Sequence, residues 1–397
     1  MASNIVGTVV RGSDFFGRED LISQIWEKLR TTNVLLAGPR RFGKTSVLYN
    51  LLDEPRNGSK VVHIDLEPVK EPVDFVVTLL DKLREDQKIM NFLRTGVIQV
   101  KEILQGVEVH LNVGEDVDVR FGLKERLKDN WREVGESILK RLEAYEQNLV
   151  ILLDEFSMMI ENFLDGRLQE NEVREFLLWF RRLRIDPSMT RCKFVVASSV
   201  SIDQYLSKLG VIAAFNDFEK VVVGEFEDVK TAVLFLEELF KGKRWLISKQ
   251  GMRKILELVG PPIPYFIQVL ASEVIKECKK KRVTPKAIEE IYHESVLGAS
   301  CKTYFQHYYD RLKHYDIQSE RAAKKLLREL SLAGEIERDQ CYQMFLKETQ
   351  QQADIDGFNN LMSDLENDFY IRFLAESNSF VFFSKILRDW WLRYYSL

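Results

Sequence analysis

The chain of 397 residues lacks most features that assign a protein to a class at once. Its five histidines do not cluster, and its 57 basic residues are outnumbered by 61 acidic ones, so no overall basic excess indicates nucleic-acid binding. No apolar run approaches the roughly 20 residues that cross a bilayer, and no signal peptide is evident at the N-terminus. The cysteines are scattered, which argues against zinc and disulfides and favours a reducing compartment: Cys192, Cys278, Cys301 and Cys341. We therefore expect a cytoplasmic protein without a membrane segment.

A phosphate-binding loop is present between an apolar run at residues 32–37 and a helical pattern at 45–52. The sequence is GPRRFGKT, whose glycines permit a tight turn that offers backbone N–H groups to phosphates. Lys44 would reach the β- and γ-phosphates, and the Thr45 hydroxyl would bind Mg²⁺. A chance glycine turn is the alternative, but the strand–loop–helix setting favours a nucleotide site. The residues expected to bind nucleotide here are Gly38, Pro39, Arg40, Arg41, Phe42, Gly43, Lys44, Thr45 and Ser46.

Two neighbouring carboxylates follow an apolar strand-like run at residues 148–153. Asp154 would lie at the strand end, where it holds Mg²⁺ through water, and Glu155 would polarise an attacking water. An acidic turn in solvent is commoner in isolation, but the upstream phosphate loop favours an ATPase. In ATPases with an extra strand between these two elements, that strand ends in a polar residue. Ser198 and Ser199 are equal candidates, unless they only form a cap or turn.

Strand-like and helix-like segments alternate as far as residue 224, which predicts an α/β fold with a buried parallel sheet. The predicted strands are 32–37, 60–66, 148–153, 193–198 and 220–224, and the predicted helices include 72–84, 124–145 and 172–184. Residues 106–121 alternate with period two around a glycine, which predicts an inserted β-hairpin or, equally, a decorated loop. Helices alone follow, and three helices with two short strands at the end are typical of a winged helix. We predict domains at 1–224, 225–300 and 301–397.

Three segments together resemble the archaeal-type ATPases of the STAND class, relatives of the AAA+ and origin-recognition ATPases. These are FGRE at 16–19, GPRRFGKT at 38–45 and LLDE at 152–155. The resemblance implies a P-loop, AAA+-like sheet, a helical lid, a winged helix, and ATP with Mg²⁺ as cofactors. It also implies that Phe16, Gly17 and Arg18 lie near adenine, and that Pro264, in a Pro-Tyr lid motif, touches the nucleotide. The glycine expected two residues before that proline is Pro262 here.

Ring-forming relatives place an arginine finger just before the fifth strand, but residues 201–223 contain no arginine. A standard ring is therefore not expected, although self-association stays open. A substitute could come from the helix after Glu155, where a solvated basic face is the plainer interpretation: Arg181, Arg182 and Arg184.

The charge of the C-terminal block argues against DNA. Residues 301–397 carry 13 Lys and Arg against 15 Asp and Glu, and residues 349–371 carry no Lys or Arg at all. A helix that enters the major groove should present cations to phosphates. We therefore expect a slow Mg-ATP-driven switch that regulates a protein partner. The alternative is a DNA-associated ATPase of the origin-recognition or transposition-helper type. A scaffold that never hydrolyses is opposed by the presence of Lys44, Asp154 and Glu155.

Overall fold

The computed structural model describes residues 6–95, 116–166, 168–198, 202–243, 245–278 and 282–396. The chain divides into two compact units. The α/β unit comprises Glu19–Ala37 and Lys44–Val223, and the C-terminal unit comprises Met1–Arg18, Gly38–Gly43 and Gly224–Leu397. The phosphate loop up to Gly43 therefore belongs to the C-terminal unit, whereas the strand before it and the helix after it belong to the α/β unit.

The α/β unit is built on a five-stranded sheet in which every pair of neighbours is parallel, in the order β2-β3-β4-β1-β5. All six residues of β3 are buried, as expected for a strand covered on both faces. The α/β fold with a parallel sheet, and an extra strand between the phosphate-loop strand and the Asp-Glu strand, are thus confirmed. The strands are β1 (Asn33–Ala37), β2 (Lys60–Asp65), β3 (Leu149–Asp154), β4 (Cys192–Ser198) and β5 (Phe218–Val222).

The helices of this unit bury one apolar face against the sheet. The third begins at Pro72 with a capping box between Glu71 and Asp74, and its bounds agree with the sequence prediction. The helices described are α1 (Glu19–Lys28), α2 (Lys44–Asp53), α3 (Pro72–Arg84), α4 (Gln87–Arg94), α5 (Asp116–Leu127), α6 (Trp131–Glu143), α7 (Phe156–Asp165), α8 (Glu170–Arg184) and α9 (Ile202–Lys208).

The predicted hairpin at 106–121 is wrong in its second half, because residues from Asp116 onward form helix α5. Residues 106–115 lie outside the described ranges. Leu123 and Leu127, four residues apart, are buried in the core, and Lys124 lies 2.8 Å from the Asp74 carboxylate of α3. Burial at helical spacing therefore prevails over the period-two pattern. The single helix predicted at 124–145 is in fact two, because α5 ends at Leu127 and α6 begins at Trp131.

The C-terminal unit is mostly helical. Its helices are α10 (Val229–Gly242), α11 (Lys249–Val259), α12 (Pro264–Glu277), α13 (Pro285–Ile291), α14 (Lys302–Arg311), α15 (Ile317–Ala333), α16 (Arg338–Thr349), α17 (Ile355–Asn367) and α18 (Lys385–Tyr395). The short strands are β6 (Leu246–Ile247) and β7 (Arg282–Val283), which pair in parallel, and β8 (Glu335–Glu337), β9 (Ile371–Leu374) and β10 (Ser379–Phe382).

The last three strands form an antiparallel sheet in the order β8-β10-β9. In the chain β8 lies between α15 and α16, whereas β9 and β10 follow α17. The three-residue β8 was not predicted, since its sequence EIE has only one apolar residue. Aromatic side chains fill the core here, and Trp390 and Trp391 of α18 are fully buried. In the ranges that the structure describes, no helix is both long and apolar enough to cross a membrane.

Candidate active site

One edge of the five-stranded sheet collects most of the predicted catalytic residues. Because the strands are parallel, their carboxyl ends meet at the same edge. Ala37, the last residue of β1, pairs with Ser198 of β4, and Asp65 at the end of β2 pairs with Asp154 of β3. The strand carrying the two carboxylates and the strand leading into the phosphate loop therefore end together, separated only by β4.

Helix α2 begins at Lys44, as the loop motif predicts, and it lies against β2 and β3. The Lys44 residue is only 5% exposed, so its side chain is largely shielded from solvent. Ser46 is also buried, and Thr45 is partly exposed at the first turn of the helix. The helix start thus offers its N-terminal dipole and a hydroxyl group at the place where phosphates are expected.

Asp154 and Glu155 are adjacent in sequence but differ in environment. Asp154 is buried, and its Oδ1 accepts a hydrogen bond from the backbone N–H of Glu155 at 3.0 Å. Glu155 is partly exposed, precedes α7, and adopts the left-handed conformation with φ 53° and ψ 41°. Such a conformation costs a residue with a side chain about 1–3 kcal/mol. The two carboxylates therefore differ in exposure, which suits one buried metal ligand and one group near water.

His63 is a residue of this site that sequence reasoning missed. It lies in β2, where its ring stacks on Tyr49 of α2 with ring centroids 4.9 Å apart. Its Nε2 lies 3.7 Å from Oδ2 of Asp154. The contact joins two strands separated by more than 80 residues of sequence, so only the strand register of β2 and β3 reveals it.

The phosphate loop has three residues with positive φ: Gly38 at 152°, Arg41 at 70° and Gly43 at 93°. The first and third are the glycines of the motif. Arg41 is exposed yet donates a hydrogen bond to the hydroxyl of Tyr265. Phe42 is 3% exposed, whereas Arg40 is exposed. The loop therefore directs two side chains into the C-terminal unit.

The predicted adenine segment is packed inside the C-terminal unit. Arg18 is 8% exposed and donates hydrogen bonds to the carbonyls of Gly224 at 2.5 Å and Glu225 at 2.9 Å. Burial lowers the pKa of Arg18 to about 10, although nearby glutamates oppose that shift. Phe16 packs its ring on Phe235, with centroids 5.5 Å apart. These contacts fix the position of the segment within the C-terminal unit.

Gly17 is required where it stands. Its φ is +66°, and a Cβ there would lie 2.6 Å from Cγ2 of Thr231 and 2.9 Å from Cε1 of Phe226. Pro264, the predicted lid contact, is the first residue of α12, a position that suits proline because no helical N–H is needed there.

The remaining candidates fall into two groups. Ser198 is buried at the end of β4, while Ser199 lies outside the described residues.

Arg184, a candidate substitute for an arginine finger, has a structural role, because its fully buried side chain pairs with Asp217 at 2.9 Å and lies over the Phe180 ring. It is therefore a poor substitute for an arginine finger.

The donor set suits magnesium better than a zinc-like metal. Across the described residues, no group of three or more His, Cys, Asp or Glu side chains could hold a metal ion. Mg²⁺ is usually held by one or two side-chain oxygens together with substrate phosphates. The buried Asp154 carboxylate and the Thr45 hydroxyl at the start of α2 are oxygen donors of that kind.

No protein-family model and no curated protein matches the chain. Solved structures do match: the Walker-type ATPase PABY2304 of Pyrococcus abyssi has a TM-score of 0.66 at 16% identity, covering 98% of this chain and 99% of that one. The fold of this chain is therefore similar to that of a Walker-type ATPase. The Aeropyrum pernix ORC2 protein, in complexes with ADPNP and ADP, has a TM-score of 0.53 at 12% identity, covering 96% of this chain and 95% of that one. At these identities the likeness concerns the fold.

Proposed function

We propose that the chain binds Mg-ATP and hydrolyses it slowly, and that turnover drives a conformational switch that regulates a protein partner. The observation that carries the proposal is the shared sheet edge. There the Lys44 helix start, the Asp154–Glu155 pair and Ser198 follow the ends of three neighbouring parallel strands. The ORC-like P-loop fold supports the part of the proposal that concerns ATP binding.

Each residue of the edge has a role that its environment suits. The buried Lys44 would neutralise charge on the β- and γ-phosphates, while Thr45 and Asp154 would hold the metal. Bound Mg²⁺ would supply charge neutralisation at the phosphate oxygens. Glu155, at a left-handed turn and partly exposed, would hold and polarise the attacking water. Ser198 would hydrogen-bond that water or the γ-phosphate.

The second part of the proposal concerns the switch and the protein partner. The resemblance to STAND-class ATPases supports a switch, and the missing arginine between residues 201 and 223 supports slow turnover. We further propose that Phe16, Gly17, Arg18 and Pro264 lie near the adenine. The helices α15 to α17 with the sheet β8-β10-β9 would form a winged-helix-like platform for protein.

A DNA-associated ATPase is the second candidate, since the ORC-like fold favours it. The acidic stretch around α17 opposes it, because residues 349–371 contain five acidic residues and no Lys or Arg that could contact phosphates. Duplex DNA binding that weakens steeply with salt would support this candidate and displace the protein-partner proposal.

Nucleotide binding is the first test. Calorimetry with ATP, ADP and GTP, each with Mg²⁺, should show heat for an adenine nucleotide with wild type and little or none with Lys44→Ala. Lys88→Ala, an exposed lysine of α4, is the matched control and should bind normally. A folded wild-type protein that binds none of the three nucleotides would contradict the proposal. For the switch, a partner should be retained in the presence of ATP and released with ADP.

A further inference from the structure

The phosphate loop is held by aromatic side chains that lie far away in sequence. Arg41 donates to the Tyr265 hydroxyl and, at 3.4 Å, to the carbonyl of Tyr304. The Tyr265 hydroxyl donates to the same carbonyl at 3.2 Å, and the Arg41 guanidinium carbon lies 5.2 Å from the centre of the Tyr265 ring. One planar cation thus joins the loop to the start of α12 and to α14.

The next loop residue is held just as firmly. The Phe42 ring meets Phe369, at the end of α17, with centroids 5.1 Å apart, and Phe266 of α12 at 6.5 Å. Phe369 is itself in the left-handed conformation and packs on Phe383 at 4.7 Å. We call the set of Tyr265, Phe266, Tyr304 and Phe369 the aromatic cluster.

These contacts matter because a phosphate loop has to be ordered before it can bind. Fixing the backbone of a flexible residue costs conformational entropy, and glycine-containing loops lose the most freedom. A loop already held by a buried ring and a stacked guanidinium has met part of that cost before the ligand arrives. Arg41 lies in the left-handed region without being glycine, a strained state that only surrounding contacts maintain.

We propose that Arg41 and Tyr265 are positioning residues that preorganise the phosphate loop by anchoring it to the aromatic cluster. Arg41 therefore acts through the loop backbone rather than as a phosphate ligand. The effect on nucleotide affinity rests on the proposed function, whereas the anchoring of the loop itself does not. Because binding and anchoring stabilise the same loop conformation, nucleotide would in turn tighten the packing of α12 and α14.

A double-mutant cycle tests the anchor directly. Arg41→Asn keeps a residue that tolerates positive φ, and Tyr265→Phe keeps the ring while removing the hydroxyl. Amide exchange of the loop, measured without nucleotide, should quicken in both single variants and no further in the double variant. Arg253→Asn, at an exposed arginine of α11 outside the loop, is the matched control and should exchange like wild type. Unchanged exchange in both single variants, or effects that simply add, would overturn the anchor.

Nucleotide titrations test its consequence. The Kd for Mg-ADP should rise about three- to tenfold in Arg41→Asn, the range of one net hydrogen bond, with little change in Arg253→Asn. In ATP turnover KM should rise while kcat stays within about twofold, because the guanidinium does not touch the reacting atoms. A large fall in kcat would make Arg41 a catalytic residue instead. If loop exchange follows the prediction but no variant binds ADP, the proposed function fails and the anchor stands; normal affinity in Arg41→Asn overturns the preorganisation alone.

Discussion

The sheet edge of the α/β unit and the anchored loop of the C-terminal unit place residues by different means. At the edge, hydrogen-bonded strands fix Asp154 and Ser198, so position depends on backbone register. In the loop, side chains fix the backbone, since Phe42 is buried among rings and Arg41 bonds to Tyr265. A substitution at the edge should therefore change chemistry with little loss of stability. A substitution in the loop should change stability and affinity first.

Removing the Glu155 carboxylate should give the largest effect. Glu155→Gln should lower ATP turnover about 10²- to 10⁴-fold, the range of general-base catalysis, while ATP binding is kept. Phosphate release and calorimetry measure the two quantities. Glu67→Gln, an exposed glutamate just beyond β2, is the control and should turn over normally.

The left-handed backbone of Glu155 allows loss of activity to be separated from loss of stability. Glu155→Gly should lose the same activity yet unfold at an equal or higher denaturant concentration, because glycine relieves the φ of 53°. Normal turnover in both variants would contradict the role of Glu155. A large loss of stability in the glycine variant would show that the residue is held by packing rather than by register.

In the loop we expect the opposite pattern for Phe42→Ala. Truncating a 3% exposed ring between Phe266 and Phe369 should cost about 3–5 kcal/mol in the free energy of unfolding. Phe42→Leu, which fills most of the space, should cost less than half as much. Urea denaturation followed by circular dichroism measures both. Equal stability of wild type and Phe42→Ala would mean that the ring contributes nothing to anchoring.

The sequence predicts the sheet edge better than it predicts the loop. Buried strands appear as short apolar runs, so the sequence predicts all five strands, although β5 is largely exposed and begins at Phe218 rather than at the predicted residue 220. The motif residues follow from where those strands end. Contacts that depend on the register of two strands cannot be predicted from apolar runs, so the sequence does not reveal the contact of His63 with Asp154. The aromatic cluster escaped for a similar reason, because its members are more than 200 residues from Arg41.

The wrongly predicted hairpin also shows that tertiary contacts cannot be predicted from a local sequence pattern. Period-two alternation around residues 116–121 predicted a strand, but a helix buries Leu123 and Leu127 at helical spacing. The local period-two pattern did not determine the structure, because the burial of Leu123 and Leu127 just beyond it stabilises a helix instead. Arg184 is similar: its basic neighbours suggested a solvated helix face, and only the fold reveals Asp217 beside its guanidinium.

The smallest predicted effect is a pH dependence of stability that arises from His307, near the loop. His307 of α14 has both ring nitrogens buried. Burial first, and then the positive charges of Arg41, Arg311 and Arg40, lower the pKa of His307 from its ordinary 6.5 to about 3. Between these values the unfolded chain binds a proton that the folded chain does not, so stability falls as pH drops below about 6.5.

Urea denaturation of wild type at pH 7 and at pH 5 should therefore show a loss of about 1–2 kcal/mol that arises from His307. The same comparison in His307→Gln, which cannot take up the proton, should show a correspondingly smaller loss. If wild type and His307→Gln lose stability equally on acidification, the pKa of His307 is not lowered in the folded chain, and burial does not keep its ring neutral there.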